Sequence, residues 1–379
     1  MDSPSRLRVP DTPDDLTPAW LTVALAETGV LRRGAVAAAE WERVGGEYGF
    51  TGLIARVRLR YEGADGDAPR SLIAKLPMAQ GNVVSGYRAR QERDPALARR
   101  YYERCVREER FYREIGATFA PALYYSAVDD VRRRVVLLLE DLTAGRQGDV
   151  LHGCSIEDAA LVIEEIAPFH ARWWGERAPV RGFPRAGGDP DARQERYGRQ
   201  VDVFLERYGD ALPAAARSVI DRLRSRLAGV LAALAAGPQT LVHADLHLDN
   251  VIFDARGDGR SAVVLDWQTS SVGSPALDVA LFLFGSLSIE DRRAAEDALL
   301  DRYATLIAER GVRGYGVNDL RRDCRLALLA VLAGTVGWLT SLDPNELADR
   351  ERALQEAVLA DGRLVAALLD HDVVALLGQ

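Results

Sequence analysis

The sequence predicts an α+β fold, with a small antiparallel-sheet lobe first and a larger helical lobe after it. Apolar and polar residues alternate with a period of two in residues 53–60, whereas helical periodicity dominates from Ser155 onward. Strands followed by helices favour this arrangement. At 379 residues the chain exceeds one domain of roughly 150 residues, and we predict a boundary between residues 1–142 and 143–379.

The first predicted elements are a helix and a hairpin. Thr17-Pro18 is typical of an N-cap followed by proline at the first helical position, and Gly29 is typical of a helix end. A turn rich in Gly, Asp and Pro follows the alternating strand, and a second strand-like run occupies residues 71–77. We therefore expect two antiparallel strands in this region.

A second helix and further short strands are expected later in the chain. Asp94-Pro95 is typical of another capped helix, which runs to about Gly116. Residues 134–140 have the apolar composition of a short buried strand, and residues 241–266 contain two brief strands among helices. The turn composition of residues 255–260 makes these two strands a hairpin.

Composition and charge argue against several classes of protein. The net charge is −8 and arginines alternate with acids, which is unlike a nucleic-acid-binding surface. Three widely spaced cysteines lack metal-ligand spacing and fit a reducing cytoplasm. Residues 1–6 lack the apolar core of a signal peptide. Residues 326–342 are uncharged but fall short of the roughly 20 that span a bilayer, so we expect a buried helix and no membrane partner.

Lys75 is the only lysine among 48 basic residues. A sequence that otherwise uses arginine retains an ammonium here, which indicates that a wide planar guanidinium does not fit. Because Lys75 lies in a strand-like apolar run, it is a candidate phosphate anchor.

The helix after Asp94 has one face that is apolar or weakly polar except for Glu108. A buried carboxylate needs a cationic partner, because an unpaired buried charge costs about 3–5 kcal/mol. Lys75 is the candidate partner, and the alternative is a rotated helix with Glu108 in solvent. The members of this face are Tyr101, Cys105, Glu108, Tyr112 and Ile115.

The strongest chemical signal lies in residues 241–268. A leucine-rich approach leads to Asp245 and Asn250 in a loop, and a second apolar strand ends at Asp266. Phosphoryl transfer requires an acid that accepts the proton of a hydroxyl and hard oxygen ligands for Mg²⁺. The five-residue spacing of Asp245 and Asn250 matches the catalytic loop of kinases.

With this motif, His243-x-Asp245-x₄-Asn250, the chain resembles the aminoglycoside phosphotransferase and choline kinase group of protein-kinase-like enzymes. Segments 50–52, 73–77 and 110–112 are similar to the bacterial ecdysteroid-kinase-like branch. The resemblance covers roughly residues 40 to 300 and implies a two-lobed protein-kinase-like fold. The motif is specific for the superfamily and does not identify a substrate.

The resemblance implies a role for each residue of the candidate site. Asp245 would be the catalytic base, and Asn250 and Asp266 would bind Mg²⁺. Lys75 would contact the α- and β-phosphates of ATP, or of GTP, and would pair with Glu108.

The resemblance also places the adenine and phosphate contacts. Glu140 and Leu142 would belong to the hinge that meets the base of the nucleotide. Gly46, Gly49 and Thr51 would belong to the turn that covers the phosphates. This turn departs from the Gly-x-Gly-x-x-Gly pattern, and a plain hairpin turn is the alternative for the same glycines.

Negative observations narrow the enzyme class. The only lysine follows Ala74, so a Walker-type P-loop is excluded. The segment from Asp266 to Asp278 is too short for the activation segment of protein kinases, and Ala244 stands where those enzymes commonly have arginine. A small-molecule acceptor is therefore favoured. We expect the Gly- and Pro-rich residues 175–199 to form a long surface loop that contributes to the acceptor site.

Four other features bear on the candidate site, and for two of them we consider two interpretations. His243 is expected to hydrogen-bond the backbone around the loop, and Asp278 to brace that loop from a helix start. His247 either packs in the loop or takes part in the site. Phe169–Trp174 either lines the acceptor site or belongs to the core.

The sequence therefore predicts a cytoplasmic, Mg·ATP-dependent O-phosphotransferase acting on a small-molecule hydroxyl. An antibiotic or secondary metabolite, modified for resistance or self-protection, is the favoured acceptor. Choline, an amino alcohol or a sugar is the alternative. Two other classes stay open at this point: a silent nucleotide-binding module, and a Zn²⁺ or Mn²⁺ hydrolase. The hydrolase would use His243, Asp245, His247, Asp249 and Asp266.

Overall fold

The computed structural model describes residues 7–44, 53–64, 66–76, 94–116, 119–175, 178–257, 259–341, 353, 355 and 362–378. Its contacts form two compact units. The first unit is Met1–Ala144 with Asp266–Gln268, and the second is Gly145–Leu265 with Thr269–Gln379. The domain boundary predicted after Leu142 stays a proposal.

The described part of the first unit contains two α-helices and an antiparallel sheet in the order β1-β2-β3-β5-β4. The predicted start of the first helix is confirmed, because the Thr17 hydroxyl accepts a hydrogen bond from the Trp20 amide, and Gly29 follows the helix with φ +74°. The elements are α1 (Pro18–Glu27), β1 (Ala35–Arg43), β2 (Leu53–Glu62), β3 (Ser71–Leu76), α2 (Pro95–Arg110), β4 (Leu123–Asp129) and β5 (Arg134–Glu140).

The central strand β3 carries Lys75. Lys75 is opposite Ile54 of β2 and Leu137 of β5, so strands flank it on both sides. The predicted pairing of β2 with β3 is confirmed. The inward residues of β2 and β3 join the core formed with α1, and β5 is buried along most of its length.

Helix α2 begins where the sequence predicts. The Asp94 carboxylate accepts hydrogen bonds from the Ala96 and Leu97 amides, and Pro95 occupies the first helical position. One π-helical turn, Phe111–Ile115, continues the helix. All five residues of the predicted inward face are buried, so Glu108 is on the inner side of the helix.

The described part of the second unit is mostly helical, with short strands. Its strands are β6 (Arg146–Gln147), β7 (Thr240–Val242), β8 (Val251–Phe253), β9 (Ala262–Val264) and β10 (Ser271–Gly273). Its helices are α3 (Ile156–Arg172), α4 (Pro190–Tyr208), α5 (Ala214–Leu223), α6 (Leu227–Ala236), α7 (Ala276–Ser286), α8 (Ile289–Glu309), α9 (Val317–Ser341), α10 (Arg363–Asp370) and α11 (Val374–Leu377).

Short strands surround the motif in the second unit. The predicted hairpin is formed by β8 and β9, which pair antiparallel. Strand β7 pairs instead with β10, which the sequence analysis did not predict. The loop with Asp245 therefore leaves one small sheet and enters another.

The long surface loop predicted for residues 175–199 is wrong. This stretch contains a 3₁₀ helix, Ala178–Gly182, and the first half of α4, whose N-cap Asp189 accepts a hydrogen bond from the Ala192 amide. Asp189-Pro190 is the same start signal as Asp94-Pro95. The glycines just before it and the many charges on the exposed face of the helix obscured the signal.

Helix α9 is long and apolar enough to cross a membrane by length and composition, and 44% of its most apolar window is buried in the protein. Its buried residues include Leu328, Leu332 and Val336. Their four-residue spacing is that of one helix face against a core. The predicted buried helix in residues 326–342 is present up to Ser341, where the description of this segment ends.

We expect Asp370→Asn to lower the free energy of unfolding by about 1–2 kcal/mol near neutral pH, because it removes a carboxylate from the nearly buried Arg292. Hydrogen bonds from Arg293 and Arg292 lower the pKa of Asp370 from 3.8 to about 2. The stabilisation is therefore complete above about pH 4 and is lost as the pH falls through about 2.

Urea denaturation between pH 2 and pH 7 measures this difference. Asp297→Asn is the matched control, because Asp297 is 84% exposed and pairs on the surface with Arg321. An equal effect of both substitutions would contradict the role of Asp370.

Candidate functional site

A buried ammonium group lies between two carboxylates in the first unit. Lys75 Nζ donates to Glu108 Oε1 at 2.7 Å and to Asp266 Oδ1 at 2.6 Å. Lys75 is 6% exposed and Glu108 is 1% exposed. The predicted Lys75–Glu108 pair is present, and the alternative with Glu108 in solvent is wrong.

The electrostatics of this cluster favour the charged form of Lys75 and oppose the charged form of Glu108. Burial alone lowers the pKa of Lys75, but the carboxylates of Asp266 and Glu108 more than offset it and raise that pKa above its usual value. Burial and the neighbouring Asp266 charge raise the pKa of the Glu108 carboxyl above its usual value, although Lys75 opposes this shift. With both acids ionised, one positive charge faces two negative charges, so the cluster suits an additional cation.

The segment with Asp266 is anchored to α2, the helix that carries Glu108. Arg107 Nη1 donates to the Gln268 carbonyl oxygen at 3.1 Å. The rings of Phe111 and Trp267 stack with centroids 4.0 Å apart and planes 4° apart, and both residues are fully buried. One helix therefore positions both acids that contact Lys75.

In the second unit, Asp278 holds the start of the motif. Its Oδ2 accepts the His243 amide at 2.7 Å and its Oδ1 accepts the Ala244 amide at 2.8 Å. Ala244 has φ +63°, a left-handed conformation that costs an L-residue about 1–2 kcal/mol. The expected brace is confirmed, and its hydrogen bonds stabilise a turn that the sequence alone disfavours.

The His243 imidazole is engaged on both nitrogens. Nε2 lies 2.8 Å from the Leu265 carbonyl oxygen, and Nδ1 accepts the Asp245 amide at 3.2 Å. These contacts fit a neutral ring with its proton on Nε2. The expectation that His243 hydrogen-bonds the backbone is confirmed.

Behind Asp278 is a fully buried polar chain. His170 Nε2 lies 3.2 Å from Asp278 Oδ2, and His170 Nδ1 lies 2.7 Å from the Tyr303 hydroxyl. The Thr240 hydroxyl donates to the His170 carbonyl oxygen at 2.7 Å. Phe169 and His170 are therefore core residues. Sequence reasoning missed Tyr303, because a tyrosine on an apolar helix face gives no sign of its hydroxyl partner.

Asn250 and Asp245 occupy the loop itself. Asn250 is 8% exposed, and its Nδ2 donates to the Asp245 carbonyl oxygen at 3.0 Å. The Asp245 side chain is 43% exposed, so its carboxylate is accessible to solvent. The Leu265 amide donates to the Asn250 carbonyl oxygen at 2.8 Å, which ties the two strands at the residue before Asp266.

The residues predicted to contact the nucleotide base and phosphates are only partly described. Glu140 ends β5, where its amide and Oε2 bond the carbonyl oxygen and the amide of Ala122, and Leu142 is buried. Gly46, Gly49 and Thr51 lie outside the described residues. The hinge and phosphate roles stay predictions.

The alternative metal-dependent hydrolase finds no support in the described part of the chain, where no group of three or more His, Cys, Asp or Glu side chains is arranged to hold a metal. Both ring nitrogens of His243 contact the backbone, and Asp249 Oδ1 accepts the Val150 amide at 2.9 Å. His243 and Asp249 thus each contact different backbone groups of the protein.

A family profile described as the phosphotransferase enzyme family, APH, matches residues 65–315. The chain belongs to the APH phosphotransferase family. The match spans more than half of the sequence and contains Lys75, Glu108, Asp245, Asn250 and Asp266. No curated protein sequence matches this phosphotransferase significantly.

Two solved structures are similar to this chain in fold. A choline kinase from Cryptosporidium parvum Iowa II has a TM-score of 0.54 at 11% identity, with 90% of this chain and 92% of that chain covered. A candidate aminoglycoside phosphotransferase from Ralstonia eutropha JMP134 has a TM-score of 0.50 at 16% identity, with 92% and 97% covered. The predicted family, the protein-kinase-like α+β fold and the class of small-molecule kinase are confirmed.

For this phosphotransferase we expect Lys75→Met to lower the free energy of unfolding by about 3–5 kcal/mol, because it leaves the carboxylates of Glu108 and Asp266 without a counter-charge. Combining it with Glu108→Gln removes one of these charges and restores part of the loss. Urea denaturation of the two variants and the unchanged protein measures both effects. Equal stability of the single and double variants would contradict the coupling.

Proposed function

We propose that this phosphotransferase transfers the γ-phosphoryl group of Mg·ATP to a hydroxyl of a small molecule in the cytoplasm. The observation that carries the proposal is the buried Lys75 ammonium held by two acids in a chain of the phosphotransferase family. GTP is the alternative donor, because backbone contacts at a hinge do not by themselves select the base.

Lys75 acts in this proposal as the phosphate anchor. A compact ammonium can contact phosphate oxygens as a point charge, and Glu108 keeps it in place from the buried side. Asp266 also contacts this ammonium. Phosphate oxygens of the nucleotide would compete with Asp266 for Lys75 and leave that carboxylate available to a metal.

Asn250 and Asp266 are the proposed ligands of Mg²⁺. Carboxylate and carboxamide oxygens are the hard ligands that Mg²⁺ prefers, and the excess negative charge around Lys75 suits a divalent cation. When bound, the ion would neutralise charge on the phosphates of the nucleotide. The chain's own part is to hold each side chain within its own unit: the Asn250 amide bonds the Asp245 carbonyl oxygen, and Asp266 contacts Lys75.

Asp245 is the proposed base. Its exposed carboxylate is accessible to an acceptor hydroxyl, and its amide is fixed by His243. The acceptor oxygen forms a bond to the γ-phosphorus while the bond from that phosphorus to the leaving oxygen breaks. The hydroxyl proton goes to Asp245 and ADP leaves, so no covalent enzyme intermediate is needed.

The proposed acceptor follows from the family of the chain. An antibiotic or secondary metabolite is the favoured class, and the biological use would then be resistance or self-protection. The similarity to a choline kinase shows the fold alone, yet it makes an amino alcohol the natural second candidate.

We expect nucleotide consumption and a phosphorylated product with Mg·ATP and one member of a hydroxyl-bearing panel. The panel contains aminoglycosides, macrolides, nucleoside antibiotics, choline, amino alcohols and sugars. Asp245→Asn should lower turnover by about 10²–10⁴-fold, the usual range for a general base, while nucleotide binding is retained. Mass spectrometry of the product and calorimetric titration of nucleotide measure the two properties.

Asp254→Asn is the matched control for the lost charge. Asp254 has φ +51° and accepts the Gly259 amide, and asparagine tolerates that conformation and can accept the same bond. Full activity of Asp245→Asn would contradict the assigned base. Absence of nucleotide binding in the unchanged protein would contradict the whole proposal.

A further inference from the structure

We propose that His247 is a positioning residue that fixes the carboxamide of Asn250 so that its oxygen, and not its nitrogen, is presented to the metal. The inference rests on the proposed role of Asn250 as a magnesium ligand. The sequence alone gives His247 two possible roles, packing within the loop or taking part in the site.

The orientation of the Asn250 amide follows from its neighbours. Nδ2 lies 3.0 Å from the Asp245 carbonyl oxygen and 3.2 Å from His247 Nε2. A carbonyl oxygen can only accept, so the amide must present its NH₂ group to Asp245. The two hydrogens of Nδ2 then serve two acceptors. Oδ1, on the other side of the amide carbon, faces away from both.

The same contact requires His247 to act as an acceptor. Nε2 must offer a lone pair to Asn250, because the amide presents its hydrogens on that side. A proton on Nε2 would face the NH₂ group and would favour the opposite orientation of the amide. His247 therefore acts through Asn250.

An ion pair between His247 and Asp245 is the competing arrangement. His247 Nε2 lies 3.8 Å from Asp245 Oδ1, beyond the range of a hydrogen bond, while its contact to Asn250 is within that range. The geometry favours the amide as partner. The histidine thus orients the proposed ligand without engaging the carboxylate of the proposed base.

Two substitutions separate this role from general packing. His247→Gln retains an acceptor, because an oxygen of glutamine can occupy the place of Nε2, whereas His247→Leu fills space without accepting. We expect Leu to weaken Mn²⁺ binding to the ADP complex by about fivefold, the effect of one typical hydrogen bond, and Gln to restore it to within about twofold of wild type. ADP affinity without metal should not change.

Electron paramagnetic resonance of Mn²⁺ measures metal binding, and calorimetry measures ADP binding without metal. Nitrogen-15 NMR of wild type tests independently of any variant whether His247 Nε2 is an acceptor, and should show this nitrogen without a proton. His152→Leu is the matched control, because His152 is 82% exposed and contacts Asp149 on the surface.

The possible results test the role of His247 and the proposed function separately. Unchanged Mn²⁺ affinity in His247→Leu, a proton on Nε2 in wild type, or failure of His247→Gln to restore binding overturns the role of His247 while the proposed function stands. If wild type binds neither ADP nor Mn²⁺ with ADP, the proposed function is wrong and the role of His247 in metal binding falls with it.

Discussion

The ammonium group of Lys75 is the charge on which the organisation of the first unit depends. Its burial would be unfavourable without the two carboxylates at 2.7 and 2.6 Å, and those carboxylates would be equally unfavourable without it. Strand pairing on both sides fixes Lys75, while α2 fixes Glu108 and also holds the segment of Asp266. The three charges are therefore stable only together, in one arrangement of the sheet, the helix and this segment.

A second set of interactions organises the loop of Asp245. Asp278 accepts two successive amides, His243 joins the loop to the strand that ends at Leu265, and His170 with Tyr303 supports Asp278 from inside the helical core. The left-handed turn at Ala244 is stabilised by these bonds and not by local preference. Such a turn is typical of functional loops, where the surrounding structure offsets local strain.

Local signals explain what the sequence could predict. The caps at Thr17 and Asp94, the alternation in β2 and the inward position of Glu108 each depend on a few neighbouring residues, and each was found. The pairing of β7 with β10 and the hydroxyl contact of Tyr303 depend on residues far apart in the chain. The start of α4 at Asp189 was encoded locally, but the composition around it masked the signal.

The aromatic stack between Phe111 and Trp267 has a consequence for the buried ion pairs. Moving α2 outward would separate two parallel buried rings and expose both faces to water, and it would also break the Arg107 bond to the backbone. The folded first unit therefore keeps Lys75, Glu108 and Asp266 together through contacts that do not involve these charges themselves. The position of the ion pairs depends in this way on an apolar contact that salt does not screen.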